Sequence, residues 1–149
     1  MSVELRTPLL RHLVLALAAS ASLLAAGQAT AQASFVIINN NAPGIGFNDP
    51  TPATPVGGNA GTTLGEQRLI AAQHAANIWG ANLSSAVPIR IGAQFTALTC
   101  SETSAVLGSA GATSSQRNFA GAPFADTWYP VALRNKFVGA EATPGSAQI

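Results

Sequence analysis

The longest regular pattern in the chain is a helical stripe of apolar residues. It follows Thr63-Leu64-Gly65-Glu66, which has the T-x-x-E form of a capping box, in which the threonine oxygen and the glutamate each bind a backbone N–H at a helix start. At about 100° per residue, five apolar residues share one face of the helix. They are Leu69, Ala72, Ala76, Trp79 and Leu83. The pattern predicts a helix over residues 63–83.

A strict alternation of apolar and polar residues follows this helix. Its apolar members are Val87, Ile89, Ile91, Ala93 and Phe95. Period two predicts a strand over residues 87–96 with one buried face. Because the turn at Ser84-Ser85 is short, we expect the helix to lie antiparallel to the strand and to pack its stripe on it. The predicted core is therefore Leu69, Ala72, Ala76, Trp79, Leu83, Ile89, Ile91 and Phe95.

Weaker patterns flank this central block. The β-branched run Phe35–Ile38 predicts a short buried strand. Residues 39–61 hold four prolines and five glycines and predict a long loop. A short helix is expected over Val131–Val138 after Pro130, and residues 145–149 are typical of the start of a strand. The expected fold class is α+β, with one long amphipathic helix on a small twisted sheet and long Gly/Pro-rich loops.

The first 33 residues have the layout of a secretory signal peptide. Arg6 and Arg11 precede the apolar run Leu13–Gly27, and small residues suited to cleavage follow it. Cleavage is expected after Ala31 or Ala33. The run of 15 residues is shorter than the roughly 20 that cross a bilayer. The sequence thus predicts an exported chain, periplasmic or extracellular, with one domain at residues 34–149 and no membrane association after cleavage.

Removing this leader leaves a chain without net charge. Of the 7 basic and 6 acidic residues, Arg6, Arg11 and Glu4 belong to the leader, so the remainder has equal numbers of each. No basic patch remains that would favour nucleic acid as a partner. The single cysteine, Cys100, is unusual for an oxidising compartment, and it is either a small buried hydrophobe or paired outside this chain.

The candidate chemical groups do not form a complete site. His74 falls on the polar face of the predicted helix, and a His74–Cys100 nucleophilic pair has no third group to orient it. A zinc site usually needs three or four ligands. Asp49 with its neighbouring asparagines offers oxygen ligands for calcium, but the spacing matches no calcium loop. The Trp128-Tyr129 pair is a candidate aromatic platform. No catalytic, cofactor or metal residue is assigned.

Four segments resemble a known family. They are GFNDPTPATPVGGNAGTTLGEQRL, AANIWGANLSSAVPIRI, CSETSAVLGSAG and FAGAPFADTWYPVALRNK. Together they are similar to the amino-terminal region of secreted bacterial zincin-type metallopeptidase-like proteins that carry an inserted protease-associated (PA) domain. The resemblance implies an incomplete zincin-like subdomain at residues 34–149. In that family the H-E-x-x-H zinc helix comes later in the chain, so zinc is expected in a full-length relative.

This sequence reaches Ile149 without an H-E-x-x-H motif, so no family zinc ligand or general base can be assigned to its positions. The resemblance implies that the disulfide partner of Cys100, and a partner for the whole fragment, lie in the absent carboxy-terminal part of the same protein. The leading hypothesis is a catalytically incomplete fragment, and whether the chain is an enzyme is left open. The alternatives are a secreted adhesion or binding module that uses residues 39–61 or Trp128-Tyr129, and a small hydrolase that depends on Cys100.

Overall fold

The computed structural model describes residues 31–149, so most of the predicted leader lies outside the described residues. The elements are β1 (Phe35–Asn39), a 3-10 helix (Gly46–Asn48), α1 (Leu64–Asn82), β2 (Ile89–Ala93), β3 (Ser115–Gln116), β4 (Tyr129–Pro130) and α2 (Val131–Val138). Helices and small sheets occur together, which confirms the α+β class at this coarse level.

The capping box fixes the start of α1. The Thr63 hydroxyl oxygen accepts the Glu66 N–H at 3.2 Å, and the Glu66 carboxylate accepts the N–H groups of Thr63 at 3.2 Å and Thr62 at 2.7 Å. Two backbone donors that no helical carbonyl can reach are thereby paired. The helix ends where Leu83 becomes extended, and it is one residue shorter at each end than predicted.

Strands β1 and β2 pair in parallel, with Phe35 opposite Ile89 and Ile37 opposite Ile91. Helix α1 lies between them in sequence, so the three elements form a β-α-β unit. Strand β2 stops at Ala93, short of the predicted end at residue 96. The Asn41 side chain, rather than a strand partner, binds both the N–H and the carbonyl of Phe95, which ends the strand pairing.

The last two residues extend the sheet on the other side of β2. Gly92 N–H donates to the Ile149 carbonyl at 2.7 Å, and Ile149 N–H donates to the Arg90 carbonyl at 3.3 Å. This alternation is the parallel hydrogen-bond pattern. Residues 145–149 do not form a strand of their own, and only these terminal hydrogen bonds correspond to the predicted strand start.

A second group of packed residues surrounds α2. Strands β3 and β4 pair antiparallel with Gln116 opposite Tyr129. Tyr129 is 6% exposed, and its ring packs edge-on against those of Phe119 and Phe137, at 5.4 Å and 5.7 Å between centroids. Helix α2 has its predicted bounds and ends at Gly139, whose φ of 73° is the left-handed conformation that favours glycine.

The predicted core is only partly buried. Ala76 is buried, while Leu69, Ala72, Ile89 and Ile91 are half-buried. The prediction was wrong for Trp79, Leu83 and Phe95, which are 62%, 43% and 51% exposed.

The close contact of α1 explains the difference for the two helix residues. Gly80 lies so near the chain at Ala33 that a Cβ atom there would be 2.6 Å from the Ala33 carbonyl oxygen. The small residues of α1 therefore make the tight contact, and Trp79 and Leu83 flank it uncovered. Phe95 lies beyond the end of β2, beside Phe47 and Arg68.

The carboxylate of the capping box makes the stability of this fold depend on pH. Hydrogen bonds from the backbone and hydroxyl of Thr62, then from Thr63, lower the pKa of Glu66 from its ordinary value of 4.5. A lowered folded-state pKa contributes stability above the unfolded pKa, and that contribution is lost as pH falls through the folded value. Glu66→Gln is therefore expected to lower the melting temperature at neutral pH and to differ less from wild type in acid.

Thermal unfolding followed by circular dichroism at several pH values checks this expectation. The matched control is Glu102→Gln, because the exposed Glu102 side chain makes no hydrogen bond to another described residue. A Glu66→Gln deficit that stayed constant from neutral to acid pH would show that the charge of Glu66 does not stabilise the cap.

Candidate functional site

An apolar groove of about 410 Å³ lies between the β1–β2 sheet, the end of α1 and helix α2. Its apolar lining consists of Phe35, Trp79, Leu83, Ile89, Ile91, Ala132, Leu133 and Ile149. Polar side chains enter only at Ser84, Ser85 and Lys136. We call this feature the apolar groove.

The register of the sheet places the groove residues together. Because alternate side chains of a strand share a face, the paired residues Phe35 and Ile89 lie on the same face as Ile91. The helical stripe adds Trp79 and Leu83 from above. These residues line one groove, but the space between them is open and Phe95 is not among them, so the predicted packing of the stripe on Ile89, Ile91 and Phe95 is not observed.

The long loop that precedes α1 is held by asparagine side chains. Asn41 Oδ1 accepts the N–H groups of Phe47 at 2.9 Å and Phe95 at 3.0 Å, and its Nδ2 donates to the Phe95 carbonyl at 3.3 Å. Asn48 Nδ2 donates to the Asn41 carbonyl at 2.8 Å. These side chains, which were considered as calcium ligands, fasten the loop to the end of β2.

Asp49, the acidic member of that candidate calcium site, is engaged as well. Its Oδ1 accepts the Thr51 N–H at 3.0 Å, and its Oδ2 pairs with Arg68 at 3.0 Å. Hydrogen bonding from Thr51, with a smaller contribution from Arg68, lowers the pKa of Asp49 from its ordinary value of 3.8. Within residues 31–149 there is no group of three or more His, Cys, Asp and Glu side chains that could hold a metal ion.

Arg68 interrupts the apolar arc of the helix, and the structure explains why. Besides Asp49, its guanidinium donates to the Gly46 carbonyl at 2.9 Å and lies 4.5 Å from the centre of the Phe95 ring. One side chain therefore joins α1, the 3-10 helix and the segment after β2. A charged residue in an apolar arc is visible in the sequence, but its partners are not.

The candidate nucleophilic residues are not assembled into a site. His74 is exposed on α1, as predicted from its position on the polar face. Cys100 is exposed and unpaired among the described residues, and its thiol donates to the Ser101 carbonyl at 3.7 Å. The interpretation of Cys100 as a buried hydrophobe is therefore wrong. Within the described part of the chain no hydrogen bond links His74 to Cys100.

The two residues of the candidate aromatic platform have different environments. Tyr129 is buried, and its hydroxyl accepts the Phe124 N–H at 3.0 Å. Trp128 is 62% exposed, and the guanidinium carbon of Arg117 lies 5.2 Å from the centre of its ring. Only Trp128 is therefore available to a ligand.

Comparisons with known proteins add no family or fold relationship. A scan of protein-family models, a search of curated proteins and a search of solved structures each gave no match. Among the described helices, none combines the length and the apolar character needed to cross a membrane.

Proposed function

We propose that this chain is the exported amino-terminal part of a zincin-like metallopeptidase-type protein and that it serves as scaffold, without reacting groups of its own. The resemblance of its four sequence segments suggests the family. The observation that supports the scaffold role is the apolar groove, in which four of the residues expected to form a core, Trp79, Leu83, Ile89 and Ile91, line open space.

The free energy of burying apolar side chains favours a functional protein in which the apolar groove is covered. Trp79 is 62% and Leu83 is 43% exposed, although both belong to the apolar stripe of α1. Burying a large apolar side chain contributes about 1.5–3 kcal/mol. Further polypeptide that covered the groove would recover much of this stabilisation for several side chains at once.

The occupant we propose is a following segment of the same polypeptide. Ile149 lines the groove and already pairs in parallel with β2. Residues that follow Ile149 in a longer product would continue along β2 and widen the sheet beneath Trp79. In the resembled family such residues lead to the zinc helix. Because no metal-ligand group occurs in residues 31–149, we assign no zinc-dependent step to this chain.

The direct test is the reading frame downstream of the Ile149 codon, followed by an activity assay. We expect the frame to encode H-E-x-x-H and the extended product to hydrolyse peptides in a manner that a chelator abolishes. The 149-residue chain is expected to be inactive under the same conditions. Chelator-sensitive proteolysis by the 149-residue chain itself would contradict the scaffold role.

A binding module is the second candidate function, and the exposure of Trp128 favours it. The two candidates differ in what they require of residues 34–149. A self-sufficient module should unfold cooperatively and bind little of a dye specific for exposed apolar surface. A scaffold with an uncovered groove should bind the dye strongly, and an extended product should lose that binding.

A further inference from the structure

The β3–β4 hairpin carries an exposed indole ring, that of Trp128, next to the buried side chain of Tyr129. We call residues 117–128, which connect the two strands, the hairpin tip. Within it Trp128 is 62% and Phe124 is 71% exposed. Directly after the tip, Tyr129 is 6% exposed, and its hydroxyl accepts the Phe124 N–H at 3.0 Å. Tyr129 therefore holds both ends of residues 124–128, the part of the hairpin tip that carries the two exposed aromatic rings.

Two reciprocal hydrogen bonds hold the hairpin tip in shape. Asn118 Nδ2 donates to Asp126 Oδ1 at 2.9 Å, and Asp126 N–H donates to Asn118 Oδ1 at 2.7 Å. Both residues have a φ of 53°. Asn and Asp adopt this left-handed conformation more readily than other residues with a Cβ atom, and the reciprocal hydrogen bonds hold it here. A loop held in one conformation is pre-organised, which lowers the entropy cost of binding a ligand.

Free polar groups of both kinds lie on the same tip. The Arg117 guanidinium is 5.2 Å from the centre of the Trp128 ring and makes no hydrogen bond or ion pair with other residues of 31–149. Asp126 uses Oδ1 for Asn118, while its Oδ2 accepts no hydrogen bond from the described residues. The indole is thus accompanied by free donors and a free acceptor, and their charges cancel.

From this arrangement we propose that the hairpin tip binds a neutral pyranose ring of a carbohydrate. Arg117 lies over one face of the Trp128 ring, so the C–H face of a sugar would stack on the opposite face, whose negative electrostatic potential favours that contact. Sugar hydroxyls donate and accept hydrogen bonds, which suits Asp126 as acceptor and Arg117 as donor. The balanced charge disfavours an anionic ligand. The inference extends the binding-module hypothesis and is independent of the proposed scaffold role.

The test uses the purified chain and three neutral trisaccharides: cellotriose, maltotriose and chitotriose. Calorimetry is expected to give a saturable isotherm with at least one of them, with a Kd of about 0.1–1 mM. In NMR spectra the Trp128 indole N–H signal should shift, whereas that of Trp79, which is also 62% exposed, should not. Trp128→Ala and Arg117→Ala should each weaken binding about tenfold or more.

Three controls test whether the effect is specific to the Trp128 ring. Leu107→Ala changes a side chain that is 95% exposed outside the tip, and it should leave the Kd unchanged. Thermal unfolding of Trp128→Ala should match wild type, and Trp128→Phe should retain part of the affinity. The proposal is overturned if no trisaccharide saturates the chain below about 10 mM. It is equally overturned if Trp128→Ala binds like wild type, or if trigalacturonate or hexaglutamate binds while the neutral sugars do not.

Discussion

Replacing Asn41 with alanine is expected to lower the free energy of unfolding by about 2–3 kcal/mol. The substitution removes three hydrogen bonds to Phe47 and Phe95 and leaves two backbone N–H groups without their acceptor. The Phe47 N–H is partly buried and costs most when it is left unpaired, whereas the two hydrogen bonds to Phe95 are exposed and contribute less. The loop before α1 and the chain after β2 should then separate, although they are 54 residues apart in sequence.

Chemical denaturation measures this loss, and hydrogen exchange locates it. The amides of Phe47 and Phe95 should exchange faster in Asn41→Ala. The neighbouring Asn40 is exposed, and its side chain makes no hydrogen bond to another described residue, so Asn40→Ala is the matched control and should stay within about 0.5 kcal/mol of wild type. Equal stability of the two variants would show that Asn41 does not fasten the loop.

Replacing Gly80 with alanine should also destabilise the fold, against the usual trend for helices. In a helix interior this change normally gains about 1 kcal/mol. Here the new Cβ atom would lie 2.6 Å from the Ala33 carbonyl oxygen, so helix and backbone must move apart. We expect a net loss of about 1–3 kcal/mol, typical of overpacking. The contact also includes the hydrogen bond of Ala33 N–H to the Leu83 carbonyl at 2.9 Å.

A substitution at the adjacent exposed residue, Ala81, distinguishes the effect of the Gly80–Ala33 contact from that of helix propensity. Ala81→Gly should cost about 1 kcal/mol through helix propensity alone. Hydrogen exchange at the Ala33 amide should accelerate in Gly80→Ala and not in Ala81→Gly. A Gly80→Ala variant that was more stable than wild type would rule out the close approach of α1 to Ala33.

Local signals were sufficient to predict the two α-helices. Thr63 and Glu66 mark the start of α1 by direct pairing with backbone donors, and Pro130 marks the start of α2 by its fixed φ. Each signal acts over a few residues, so tertiary packing does not override it. The alternation of apolar and polar residues likewise predicted the position of β2, although the strand ends where Asn41, which is distant in sequence, binds Phe95.

Burial could not be predicted in the same way. Helical periodicity shows which residues share a face, but it does not show what covers that face. Ala76 is buried while Trp79 on the same stripe is 62% exposed, because the tight contact is made through small residues beside Gly80. The parallel pairing of β1 with β2 joins residues that are far apart in sequence, so no local turn sequence predicts it.

The candidate site shows the same limit. Arg68 was visible in the sequence as a charged residue within an apolar arc, but its partners Asp49 and Gly46 lie 19 and 22 residues away. Of the Trp128-Tyr129 pair, the sequence alone could not indicate which ring would be buried. Strand alternation sends neighbouring side chains to opposite faces, and the packing of Phe119 and Phe137 selects Tyr129.

The central claim is that the apolar groove is covered by further polypeptide of the same protein, and the two tryptophans allow a direct test. Both are 62% exposed in the described structure. In the recombinant 149-residue chain, hydroxyl-radical labelling read by mass spectrometry should modify Trp79 and Trp128 to similar extents. In the protein purified from its native source, we predict that Trp79 is protected while Trp128 is still labelled. Equal labelling of Trp79 in the two preparations would contradict the claim.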